Sequence, residues 1–337
     1  MNSRRKFLAT LGAGACAISF HGFAQQAAGR RRIGFLGPLA SPANANRIAA
    51  LRAGMLGLGF MEGQTFSIEF RSQDRGLEQL RDLAAGLVRS GVDLIVANGV
   101  AETTAAKQAT ATIPIVMAMT ADAVAMRLVQ SLQRPGGNVT GASYSSPQMM
   151  QRRLELLKEV YLPARHIAVL VNPVHPMTEA ILTSLRATAS TLKVQLTPLE
   201  IRARENINNA IGTMIRDKMH AFVITDDAVF TQNAGVIADL ARSKKLPAVG
   251  PLAYAEAGGL LSFEPDQIAP WSRAATFVAR IFRGSKPGDL ALEAVTRFES
   301  VFNKTGAKAV GIAFPQAVLA RASRVIEGAV EGACSNC

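Results

Sequence analysis

One pattern runs through most of this chain and leaves few folds open: a short uncharged run, then an amphipathic stretch at helical spacing, then another short run. Arg32-Ile33-Gly34-Phe35-Leu36-Gly37 reads as a buried strand bounded by Pro38. Residues 46–60 keep helical spacing through Ile48, Leu51, Met55 and Leu58. Phe66, Ile68 and Phe70 alternate and predict a strand, and Leu80, Leu83 and Leu87 line one face of a helix over 77–90. Asp93-Leu94-Ile95-Val96-Ala97 and Pro114-Ile115-Val116-Met117-Ala118 are strands apolar on both sides. Such strands belong in parallel sheets with helices on both faces.

The pattern then starts again. A helix is predicted to include 154–160, with strands at 166–171, 194–199, 221–225 and 246–249. Helices over 178–192, 206–217 and 230–243 separate them. Repeated units of this kind make two doubly wound α/β lobes with a cleft between them. The chain of 337 residues, 49% of them hydrophobic, is long enough for two such cores. Arg134-Pro135-Gly136-Gly137-Asn138-Val139-Thr140-Gly141 lies between the two sets and is the expected hinge.

The front of the chain reads as an address. Arg4, Arg5 and Lys6 precede an uncharged run from Phe7 to Phe20, and Gly22-Phe23-Ala24 offers small residues at a signal-peptidase site. The run is shorter than the roughly 20 residues of a permanent span. Ser3-Arg4-Arg5-x-Phe7-Leu8 resembles a twin-arginine export signal. Residues 1–24 are therefore expected to be a signal peptide cut near Ala24, leaving a periplasmic protein. Ala13-Gly14-Ala15-Cys16 resembles a lipoprotein box with Ala13 where Leu is usual, so lipidation of Cys16 stays open. Net charge is +12, and +9 without Arg4, Arg5 and Lys6. The basic residues are scattered, with tight groups only at Arg30-Arg31-Arg32 and Lys244-Lys245, so no nucleic-acid partner is expected. Cys334 and Cys337, in a tail over 331–337, are read as a terminal disulfide or a loose end.

Open parallel sheets bind ligands beyond the carboxyl ends of their strands. Small polar residues recur there: Ser41, Asn98, Gly99, Thr120 and Asp122 in the first set, Asn172 and Asp227 in the second. Each also suits an ordinary helix cap. No phosphate loop, nucleophile elbow or zinc-protease motif is present. Gly57-Leu58-Gly59 ends a helix rather than opening one, which is capping chemistry. His166, His175 and His220 lack metal-ligand spacing, so neither metal nor cofactor is expected. Asp226-Asp227 is a poor acid–base pair, since adjacent strand residues point apart; one is read as a cap and the other as a cleft ligand.

Several stretches in order carry a family resemblance: Leu51-Arg52-Ala53-Gly54-Met55, Leu58-Gly59-Phe60-x-Glu62-Gly63, Ile113-Pro114-Ile115-Val116, Leu132-x-Arg134-Pro135-Gly136-Gly137-Asn138-Val139-Thr140-Gly141, and Ala257-Gly258-Gly259-Leu260-Leu261-Ser262-Phe263. Together they resemble the ABC-transporter periplasmic substrate-binding proteins of the tryptophan/tyrosine-binding (TrpX-like) family. The resemblance implies a type I periplasmic-binding-protein fold, with two doubly wound parallel-sheet lobes joined by a three-crossover hinge. It implies crossovers near 141–145, 250–254 and 297–301. The first lobe is then 31–141 plus 255–284, and the second 142–250 plus 285–330. It implies a small-molecule ligand, an amino acid or aromatic-acid-like compound, and delivery to an ABC permease and ATPase in the inner membrane. A monomer without catalytic residues is expected. Tyr144 and Tyr254, at expected crossovers, become the aromatic ligand candidates. Glu264 stands where the family usually has glycine, and joins the ligand candidates as a carboxylate at the cleft mouth. An exported α/β enzyme and a ligand-sensing subunit are the alternatives.

Overall fold

The computed structural model describes residues 29–37, 42–71 and 77–328. The expected signal peptide, Ser41, Cys334 and Cys337 lie outside the described residues. The first run of elements is β1 (Arg31–Leu36), α1 (Pro42–Gly57), β2 (Phe66–Arg71), α2 (Leu77–Arg89), β3 (Leu94–Ala97), α3 (Val100–Ala109), β4 (Ile115–Ala121) and β5 (Val139–Tyr144). The second is α4 (Ser146–Val160), β6 (His166–Val171), α5 (Thr178–Leu192), β7 (Gln195–Glu200), α6 (Glu205–Arg216), β8 (Ala221–Ile224), α7 (Ala228–Gln232), α8 (Ala234–Ser243), β9 (Ala248–Gly250), α9 (Leu252–Glu256) and β10 (Leu261–Pro265). Then follow α10 (Ala269–Phe282), β11 (Glu293–Ala294), β12 (Phe298–Asn303), α11 (Lys304–Val310), α12 (Gln316–Leu319) and β13 (Arg324–Ile326).

These strands form two sheets. The first has the order β11-β5-β4-β3-β1-β2 and the second β13-β12-β10-β9-β8-β6-β7. Every pairing in the first is parallel. In the second, β10 and β12 alone run antiparallel. Helices cover both faces of each sheet. In the first lobe, Ile33, Phe35 and Val116 pack with Leu51 and Met55 of α1 and Trp271 of α10. Leu36, Ile95 and Met117 point the other way, onto Leu80 and Leu87 of α2. In the second, Val169 and Val223 meet Leu154 of α4 and Leu185 of α5, while Phe222 and Ile224 meet Ile207, Ile211 and Ile237. Each such side chain contributes about 2 kcal/mol on leaving water. Among the described residues no helix is long and apolar enough to cross a membrane.

The first lobe is finished late. Its α1 face is sealed by α10, which follows the second lobe's strands in the chain. The two helices touch closely enough that a Cβ on Gly54 would lie 2.7 Å from the Ser272 carbonyl oxygen. Trp271 is fully buried beside Phe35, with ring centroids 5.7 Å apart.

The first crossover falls where the resemblance implied, and the other two fall elsewhere. The chain leaves the first sheet at Ser145, returns through Asp266-Gln267-Ile268, and leaves again through Val295-Thr296-Arg297. The 250–254 segment is no crossover, because β10 beyond it is wedged between β9 and β12. Residues 255–265 therefore lie with the second lobe, and 285–294, which contain β11, with the first. The third crossover precedes 298–301, which are already β12. Nor is the Gly-rich run a hinge. Gly136 N–H donates to the Gly288 carbonyl at 3.2 Å, and the Asn138 amide donates to the Thr110 and Ile113 carbonyls. These bonds lock the start of β5 into the first sheet. Gly59 at φ 86° and the Phe60 N–H bonded to the Met55 carbonyl at 2.9 Å close α1 as a C-cap.

Gly141, at φ 134° inside β5, passes so close to β4 that an added Cβ would lie 2.1 Å from the Met117 carbonyl oxygen. Gly141→Ala must both clash and enter a conformation that alanine resists. It is expected to cost about 3 kcal/mol or more, read as a lowered urea midpoint; a wild-type midpoint contradicts this packing.

Candidate functional site

Each sheet has one place where the chain reverses its direction of winding. From β1 the chain goes to β2 on one side and to β3 on the other; from β6 it goes to β7 and then β8. The gap above such a switch point is where a ligand can approach backbone. The first is bordered by Gly37, Asn98 and Gly99, the second by Asn172, Asp226 and Asp227. Gly37 is buried, and a Cβ there would lie 2.7 Å from that of Asn98. Gly99 caps α3 without any side-chain bond; the Glu102 N–H of the first turn is taken by its own carboxylate, which lies over Gly99, and the N–H groups before it keep donors for an anion.

The second switch point divides two aspartates by role. Asp227 Oδ1 accepts the Val229 N–H at 2.9 Å and caps α7, while its Oδ2 accepts the Asn172 amide at 3.0 Å. Asn172 Oδ1 accepts the Val174 N–H. Both residues thus serve the local turns. Asp226 has another partner. Its Oδ1 lies 2.8 Å from Arg153 Nη2.

Arg153 is the residue that sequence reasoning missed. It lies on the buried stripe of α4 with Met149, Met150, Leu154 and Leu157, and none of it is exposed. Its Nε donates to the Phe263 carbonyl at 2.7 Å and its Nη1 to the Ile224 carbonyl at 2.8 Å. One guanidinium therefore ties the ends of β8 and β10 and carries Asp226 besides. The signal was a lone arginine at helical spacing within an apolar face.

Around this ion pair the hinge-side wall of the cleft assembles. Tyr144 is half-buried, and burial pushes its phenol up, followed by the field of Asp226. Arg153, Glu264 and Asp122 also act on it. Glu264 Oε2 accepts the Leu252 N–H at 2.9 Å. Burial pushes the Glu264 carboxyl up to about 7; the Leu252 N–H opposes this, Asp226 adds to it, and Arg153 and Arg47 oppose it. Arg47, from α1 of the first lobe, donates to Gln267 in the second crossover. Thr120 is buried and its hydroxyl has no hydrogen-bond partner.

Two expected ligand residues do other work. Tyr254 is 1% exposed and packs edge-on against Phe222 at 6.4 Å in the second lobe's core. A Cβ on Gly259 would sit 2.3 Å from its ring. It cannot reach the cleft, since β10 places it behind the second sheet rather than at a crossover. Asp122 staples the first crossover. At φ 47°, its carboxylate accepts the Ser146 N–H at 3.1 and 3.2 Å, and its own N–H donates to the Tyr144 carbonyl at 2.8 Å. Burial pushes its carboxyl up. Asp122 and Tyr144 also line a hollow of about 720 Å³ beside the first and third crossovers.

Known proteins share this fold. A family model described as ABC transporter substrate binding protein matches residues 32–326. The chain belongs to that family. The architecture is the type I periplasmic-binding-protein fold. The curated "Tyrosine-binding protein" of Clostridioides difficile (strain R20291) is 25% identical over 254 residues, which cover 75% of this chain and 72% of that protein. A crystal structure of an ABC domain in complex with L-Trp from Streptococcus pneumonia superposes with a TM-score of 0.78 at 25% identity, over 88% of this chain and all of that one. A conserved domain protein from Vibrio cholerae O1 biovar El Tor str. N16961 does so with a TM-score of 0.78 at 26% identity, again over 88% of this chain and 100% of that one.

Arg153→Met would leave two buried carbonyls unpaired and Asp226 without its cation. The loss is expected to be about 3 kcal/mol, measured by thermal unfolding. An unchanged unfolding temperature would show that the guanidinium does not organise this wall.

Proposed function

We propose that this chain captures an amino acid with an aromatic side chain and closes its two lobes over it without altering it. In this reading it is the extracytoplasmic receptor of an ABC importer. It works in the periplasm and hands its ligand to a membrane permease driven by an ATPase. The basic and apolar front of the chain supports export.

One observation carries the choice of ligand. Donors and acceptors of opposite character border the two switch points, on different lobes. The α3 N-terminus with Asn98 and Gly99 offers N–H groups to a carboxylate. Asp226 and Glu264 offer oxygens to an ammonium group, and Tyr144 lies beside them. A zwitterion spanning the cleft satisfies both sets only when the lobes approach, so ligand energy goes into closure. The tyrosine- and tryptophan-binding relatives agree with this class.

The rival reading, an exported enzyme, finds little among the described histidines. His166 Nε2 bonds Thr197 at 2.8 Å, His220 Nδ1 accepts two backbone N–H groups, and His175 Nδ1 accepts the Met177 N–H. His166 and Thr197 face each other across the paired strands β6 and β7, and the other two rings hold backbone turns.

A thermal-shift screen of the full chain against the common amino acids and indole acids tests the reading. L-Tryptophan or L-tyrosine at about 100-fold over Kd should add about 2.7 kcal/mol, a shift of several degrees. Mass analysis should recover the ligand intact. A converted compound, or no shift with any amino acid, contradicts it.

A further inference from the structure

The hollow of about 720 Å³ beside the first and third crossovers lies apart from the two switch points. It borders β5 and β11, whereas the first switch point lies between β1 and β3, with β4 standing between the two places. At about 4.8 Å per strand they are roughly 12 Å apart. The hollow has the size of a small-molecule pocket. Val124, Ala125 and Leu132 of the β4–β5 connection, Val295 of the third crossover and Phe298 of β12 make its walls apolar. Val124 and Leu132 are 41% and 45% exposed, so two large apolar side chains are left to water here. Phe298 and Gln148 come from the second lobe, so both lobes supply wall.

Asp122 is the one charged side chain of this lining among the described residues. Its two oxygens share a single backbone N–H, that of Ser146. A carboxylate has about four acceptor positions, so most of them are open. Among the described residues no lysine or arginine pairs with it. His175 acts on it from outside the lining, but Nδ1 of that ring accepts the Met177 N–H, which leaves the imidazole neutral. A half-buried carboxylate with spare acceptors in an apolar hollow suits a cation on an apolar body.

We propose that this hollow is a second ligand site, separate from the cleft, and that it takes a small apolar amine. The ammonium group sits on Asp122 and fills the acceptor positions that Ser146 leaves open. The hydrocarbon body covers Val124, Leu132 and Phe298 and removes them from water. No covalent bond changes. Burial pushes the Asp122 carboxyl up, and a docked cation opposes that push. An occupant touches both lobes and two crossovers, so it gains or loses contacts whenever the lobes move. The site does not depend on the amino-acid reading of the cleft.

Isothermal titration of the full chain at pH 7 tests this with three probes: diphenylpropylamine, diphenylpropanol and diphenylpropionate. They share one apolar body and carry a positive, a zero and a negative charge. The amine should bind at least about tenfold more tightly than the alcohol, and the carboxylate should bind most weakly. Asp122→Asn should erase the advantage of the amine over the alcohol. Asparagine tolerates the φ of 47° at this position and its side-chain oxygen still accepts the Ser146 N–H, so the staple stays. Ala125→Trp, at an exposed position, should fill the hollow and weaken amine and alcohol alike. The order of the three probes on the wild-type chain stands even if a variant folds poorly. Equal affinities for the three, or no saturable binding of the amine, overturns the proposal. So does an amine preference that survives Asp122→Asn, which would place the amine elsewhere on the chain.

Discussion

A guanidinium with no access to water organises the cleft. At 2.8 Å from Asp226, Arg153 has one charged partner and two backbone acceptors. Burying it costs solvation that these bonds have to offset. The return is positional more than energetic. The ends of β8 and β10 belong to non-adjacent strands, with β9 between them. Arg153 holds both in register from below and fixes Asp226 at the rim. Asp226 in turn raises the proton affinity of Tyr144 and Glu264. Remove the arginine and the wall loses both its shape and its electrostatics.

The same wall adjoins the hinge, which explains how binding can become motion. The second and third crossovers are tied to each other: Asp266 N–H donates to the Arg297 carbonyl at 3.0 Å, and Asp266 Oδ2 lies 3.2 Å from Arg297 Nε. Asp266 also caps the turn into α10 by accepting the Ile268 and Ala269 N–H groups. The first crossover is stapled by Asp122. Two well-packed lobes joined by three short chain crossings are the arrangement from which rigid-body closure arises. Packed lobes do not deform gradually, so a ligand that contacts both selects between open and closed.

Much of this was legible from residues alone. Continuous apolar runs such as Leu94-Ile95-Val96-Ala97 can only be buried on both faces, and that dictated parallel sheets. Asn98 and Gly99 could be placed beyond β3 because strand ends are visible in periodicity. What failed was partnership. Leu261-Ser262-Phe263-Glu264-Pro265 reads as a strand, but nothing local says which sheet takes it. The second crossover was therefore placed too early, and Tyr254 was drawn toward the cleft. The pair Asp226-Asp227 announced one helix cap, and the Val229 N–H assigns it to Asp227, while Asp226 pairs with Arg153, which only the fold brings near. Arg153 itself read as one more helix residue. Its meaning lay in carbonyls some 70 and 110 positions away.

The central claim is that ligand capture is closure. Spin labels at Ala45→Cys in α1 and Val174→Cys after β6, in a chain whose three native cysteines are replaced by serine, report the distance across the cleft. Saturating L-tryptophan should shift the pulsed-dipolar distance distribution to a single, shorter population. Saturation by calorimetry with an unchanged distribution would show that the lobes do not move, and would contradict the account.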